Sequence, residues 1–133
     1  MKKIILLSAL LFTASIFVSI SATEDILNNT IPGDEIYVVP GNVQTIIDNK
    51  CFDCHNSNSK NMKGKMKLKF DKMGSLKTHK LLAKLDNIAE AVTEGNMPPK
   101  KVIKKHPELK LSADEVKSLS DWANQLISKI AGE

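Results

Sequence analysis

At 133 residues the chain has room for a targeting segment and one small domain, and too little for two separate cores. Its nineteen cationic side chains are all lysine and face fifteen acidic ones, a net charge of +4. With no guanidinium fork for bidentate contacts to bases or phosphates, the composition argues against nucleic acid as a partner.

Lys2 and Lys3 precede an apolar run over residues 4–20, and Ser19-Ile20-Ser21 places small residues where a signal peptidase cuts. Residues 1–21 are therefore expected to be a signal peptide that carries the rest to the periplasm or another extracytoplasmic space; left uncleaved, the segment would instead anchor the domain to a membrane. Cleavage removes two lysines and no acid, so the +4 balance falls to +2.

Residues 22–41 hold Pro32-Gly33, Pro40-Gly41 and four acidic side chains around the short extended-looking run Ile36-Tyr37-Val38-Val39, the pattern of a leader or tether. The folded domain is expected over residues 42–133. Asn42 is the expected N-cap of a first helix, whose apolar positions Val43, Ile46 and Ile47 lead to Cys51 at helical spacing.

That helix runs into Cys51-Phe52-Asp53-Cys54-His55, which contains both cysteines of the chain. C-x-x-C-H is the attachment pattern of c-type haem: two thiols add to the porphyrin vinyl groups and the histidine ligates the iron. On a helical turn, positions i, i+3 and i+4 share a face, so all three side chains can address one flat ring. Competing readings are weaker. A thioredoxin-like redox pair needs βαβ flanks, and these flanks read as helical. Zinc would recruit His79 or His106, but three ligands within five residues strain a tetrahedron. A disulfide between these cysteines closes too short a loop to stabilise much.

Periodicity fades over residues 56–73, where Lys60, Lys63, Lys65, Lys67, Lys69 and Lys72 predict a solvated loop. It returns after Ser75, with Leu82, Leu85, Ile88, Ala89 and Val92 on one face and Gly95 as the stop. The last helix is the best specified. Ser112 and Glu115 form a capping box, Leu111 and Val116 a hydrophobic staple, and the stripe Val116, Leu119, Trp122, Ala123, Leu126, Ile127, Ile130 ends at Gly132. No strand-like alternation of any length follows residue 40, so the expected fold class is all-α.

A haem ligated by His55 takes its sixth ligand from His79, His106, Met62, Met66, Met73 or Met97. Met97 is singled out by Gly95-Asn96-Met97-Pro98-Pro99, because two prolines stiffen the turn that carries it and a weak thioether ligand has to be held in position. His106, directly before Pro107, is the rival, and a His/His pair would lower the reduction potential.

The order of short helix, C-x-x-C-H, loop and helix, Gly-x-Met-Pro-Pro and a capped C-terminal helix with Trp122 resembles a small monohaem cytochrome c over residues 42–130. The resemblance implies one covalent haem c on Cys51 and Cys54, axial His55 and Met97, an all-α domain wrapped around the haem, and Trp122 packed near it. It departs from the pattern in lacking an aromatic on the first helix. The function it implies is non-enzymatic: a one-electron carrier serving redox partner proteins. Two alternatives differ in class. One is a five-coordinate or His/His haem protein acting as a peroxidase-like enzyme or gas sensor; the other is a zinc-stabilised interaction module.

Overall fold

A computed structural model describes residues 37–132, and the expected signal peptide and most of the leader lie outside them. Within that range the protein is all-α, with no strand among the described residues and no helix long and apolar enough to cross a membrane.

Helix α1, Gly41–Lys50, begins two residues earlier than expected, because Pro40 rather than Asn42 is its N-cap. Proline has φ already fixed near the helical value, here −61°, and its carbonyl accepts the first helical bond from the Gln44 N–H at 2.8 Å. Val43 and Ile47 form the buried stripe of α1, and Cys51, at φ −125°, ends it.

The lysine-rich stretch is more ordered than expected. Asn61 caps a short helix α2, Met62–Lys67, accepting the Gly64 N–H at 3.0 Å, and a 3₁₀ helix follows at Phe70–Ser75. No residue of α2 is buried, so no apolar stripe announces it; Phe70 and Met73, three apart, drop into the core and pin the segment that follows.

Helix α3, Thr78–Thr93, buries Leu81, Leu85, Ile88, Ala89 and Val92. Its face is centred on Leu81, and Leu82, expected there, is half-buried on the flank. Gly95 at φ 67° closes the helix in the left-handed conformation that glycine adopts freely. The Gly95 N–H then reaches the Val92 carbonyl at 3.3 Å and the Asn96 N–H the Ala91 carbonyl at 2.9 Å. Together these bonds form the two-bond C-terminal motif that turns the chain sharply back.

A single-turn helix α4, Lys100–Ile103, and a 3₁₀ turn, Pro107–Leu109, lead to α5, Ala113–Ala131. Ser112 and Glu115 make the full capping box, and Gly132 at φ 79° ends the helix. Helix α5 packs along α3 and, less extensively, against α1. Leu81 and Leu85 from one side, Leu119 and Ala123 from the other and Val43 and Ile47 from the third fill the space between them, each at most 2 % exposed.

Trp122 caps this core at the N-terminal end. Its indole N–H donates to the Val38 carbonyl at 3.0 Å and its ring meets Tyr37 edge-on at 6.0 Å. The aromatic missing from α1 is thus supplied by the segment before it, where burial pushes the Tyr37 phenol up to about 12.

Candidate haem-binding site

The C-x-x-C-H stretch folds as one irregular helical turn after α1. The Cys51 N–H donates to the Ile47 carbonyl at 2.9 Å, and the His55 N–H in turn donates to the Cys51 carbonyl at 3.1 Å. That last bond spans i to i+4, the relation that brings both side chains to one side of the turn. Two side chains lock it from outside: Asn56 donates to the Phe52 carbonyl at 2.6 Å, and the buried Ser59 hydroxyl donates to the Asp53 carbonyl at 2.7 Å.

His55 is oriented by α2. Its Nδ1 lies 3.0 Å from the Gly64 carbonyl oxygen. A carbonyl can only accept, so Nδ1 carries the proton and Nε2 keeps its lone pair for a metal. Phe70 sets its ring edge-on to the imidazole at 6.4 Å, and the Phe70 N–H donates to the His55 carbonyl at 2.9 Å. Desolvation lowers the His55 pKa against the opposing pull of its backbone partners, favouring the neutral imidazole that binds metals.

Gly64 cannot be replaced without cost. A Cβ there would lie 2.4 Å from the Cys54 carbonyl oxygen, so only glycine lets α2 come this close to the motif.

Beside this turn opens an apolar cavity of about 460 Å³, within the roughly 300–1,000 Å³ typical of cofactor pockets. Cys51, His55 and Met97 all line it, and Leu68, Phe70, Ile88 and Leu119 are among the apolar walls. Met97 is carried there by the turn after α3: its N–H bonds back to the Ala91 carbonyl at 3.1 Å, beside the bond from Asn96. It remains 37 % exposed, at the edge of the cavity. Cys54 is half-buried against Gly64 and is not among the lining residues.

The other ligand candidates stand elsewhere. His106 is on the surface, 3.2 Å from Glu108, and His79 is exposed on α3. Met62 and Met66 project into solvent from α2, and Met73 is wholly enclosed in the core. Trp122, placed near the haem by the resemblance, does not line the cavity; its helix contributes Leu119 instead. Among the described residues no three Cys, His, Asp or Glu side chains gather as a metal site, which removes the zinc reading with His79 or His106. Neither cysteine is in a disulfide.

The residues present fit a haem. The walls are apolar, as a porphyrin face requires, and the donors, one imidazole and one thioether, are those that ligate haem iron. Burial, with the neighbouring Cys54 and Glu115, pushes the Cys51 thiol up to about 11, so it stands protonated at neutral pH.

A small helical domain with an apolar cavity walled by a Cys-His turn and a methionine is of the haem-protein class. The chain belongs to the haem-binding domain family, whose model matches residues 59–125, a span that includes Met97 and begins just after the C-x-x-C-H turn. No curated protein and no solved structure matches the chain.

Proposed function

We propose that the protein is an extracytoplasmic monohaem c-type cytochrome that carries single electrons, its one haem c bonded to Cys51 and Cys54 and ligated by His55 and Met97. The observation that carries this reading is the convergence of Cys51 and His55, from the turn after α1, and Met97, from the turn after α3, on one apolar cavity. When bound, haem supplies the Fe(III)/Fe(II) couple, a one-electron change.

The chain's own residues do the rest. Cys51, held as the thiol, and Cys54 on the same turn would hold the haem covalently, one thioether bond each. His55 offers Nε2 because Gly64 holds the proton on Nδ1. Met97 would hold the iron from a turn braced by Pro98 and Pro99. With His55 and Met97 both committed to the iron, the chain would leave no open position for substrate, which favours electron transfer over peroxidase-like catalysis or gas sensing. The apolar wall excludes water and keeps reorganisation around the iron small.

Partners are acidic redox proteins on this reading. The lysines of residues 60–72 surround α2, and Lys67 at its end reaches the cavity wall, so a cationic rim borders the site.

The test is expression with the signal segment and a cytochrome c maturation system. Haem that stays with the chain on a denaturing gel, and a reduced form that does not bind carbon monoxide promptly, are the expected results. Loss of haem on denaturation overturns covalent attachment, and prompt carbon monoxide binding overturns the two-ligand carrier in favour of a five-coordinate haem protein.

A further inference from the structure

The cavity has a polar edge that iron ligation leaves unused. Lys84, on α3, lines it, and its ammonium donates to the Lys67 carbonyl at 2.6 Å, tying α3 to the end of α2. An ammonium carries three donors and no acceptor, and this carbonyl occupies one of them. None of the ion pairs among the described residues uses Lys84. Asn87, its neighbour along the wall, carries no charge and turns one of its two amide N–H groups back to the Ala83 carbonyl of its own helix.

A half-buried cation fixed against an apolar wall, with donors to spare and no carboxylate beside it, draws an anion more strongly than the same charge would in open water. Haem is an apolar macrocycle with two carboxylates. Resting on the reading of this cavity as a haem site, we propose that Lys84 binds a haem carboxylate, with the Lys67 carbonyl holding the ammonium in place from the end of α2. Its positive charge keeps that carboxylate ionised to low pH and favours Fe(II) over Fe(III).

The measurement is a potentiometric titration of the holoprotein across pH, comparing wild type with Lys84→Gln, Lys84→Met and Lys84→Arg, and with Lys100→Gln as an exposed lysine away from the cavity. Lys84→Gln is expected to lower the neutral-pH potential. It should also move the pH at which the potential begins to rise on acidification upward, because the carboxylate then protonates more readily. Lys84→Met, an apolar chain of similar length that packs on the same wall, should do the same, while Lys84→Arg and Lys100→Gln keep the wild-type curve. A Lys84→Gln or Lys84→Met curve that superimposes on wild type overturns the assignment with the haem reading intact. A wild-type chain that purifies natively without a haem absorption band overturns the haem reading, and the role of Lys84 with it.

Discussion

The Gly64 carbonyl oxygen receives the Nδ1 proton of His55 at 3.0 Å, so a helix with no buried residue decides which nitrogen of the proposed iron ligand is bare. The same glycine has no room for a side chain, because its Cβ would sit 2.4 Å from the Cys54 carbonyl oxygen. One residue thus sets both the approach of α2 to the C-x-x-C-H turn and the tautomer of His55.

Gly64→Ala should therefore act on the site as well as on stability. The clash is with backbone and cannot be relieved by a side-chain rotation, so α2 must move away, at a cost of about 1–3 kcal/mol. Haem staining yield and denaturant unfolding of the purified holoprotein measure the two effects. Asn61→Ala, which removes only the α2 cap, should cost about 1 kcal/mol and leave staining near wild type. Equal staining and equal stability for Gly64→Ala and wild type would show that α2 does not orient His55.

Cys51 and Cys54 should contribute separately to haem retention, each forming one covalent bond. Either single Ala variant is expected to retain less haem than wild type after denaturation, and the double variant none, by haem-stained gel. A double variant that still stains places the attachment elsewhere.

What the sequence discloses here follows from how local each signal is. Helices α3 and α5 repeat apolar residues at helical spacing, and the Ser112/Glu115 box lies within one turn, so both are readable from neighbours in the chain. Helix α2 has no such stripe, and its only local mark is the Asn61 cap in a run of lysines and methionines. The pairing of Tyr37 with Trp122 spans most of the domain and has no sequence period at all. The same holds for the cavity. Cys51, His55 and Met97 announce themselves through motif and turn chemistry, whereas Lys84, Phe70 and Leu119 reach the wall only through packing of α3, the 3₁₀ segment and α5. A glycine amid a run of long side chains was the one available hint to Gly64, since it marks a place where backbone must approach closely.

Acid should weaken the join between α1 and α5 through Glu115. The Lys50 ammonium, 2.8 Å away, holds the Glu115 carboxyl below its ordinary value of 4.5, with the Ser112 N–H assisting. Because the folded-state pKa is the lower one, the ion pair stabilises fully above the unfolded-state value and its contribution disappears as pH falls through the folded-state value. Glu115→Gln should cost on the order of 1 kcal/mol at neutral pH, given that both side chains are largely covered. Chemical unfolding at a series of pH values reads the gap between the two proteins. A gap that stays constant below pH 4 would assign the loss to the capping box and not to charge.

The lysines around α2 should govern association with an acidic partner. Lys65→Glu, Lys67→Glu and Lys69→Glu combined are expected to slow reduction by a membrane extract and to flatten its fall with ionic strength, as steering by opposite charge requires. An ionic-strength profile identical to wild type would make this face a solvated surface only.

Met97 and His106 are separated by their positions. Met97 lines the cavity, held by its bond to the Ala91 carbonyl, while His106 lies on the surface at 59 % exposure beside Glu108. A thioether favours the reduced iron, so Met97→Ala should lower the reduction potential and open the sixth position to carbon monoxide. Met97→His should keep the position closed yet also lower the potential, since an imidazole stabilises Fe(III) better. His106→Ala should change neither, its loss being that of an exposed pair worth at most about 1 kcal/mol. Redox titration with a carbon monoxide difference spectrum distinguishes all three variants. Were His106→Ala to open the site while Met97→Ala left potential and spectrum unchanged, the ligand would be His106, and the surface segment carrying it would have to fold inward over the cavity when haem binds.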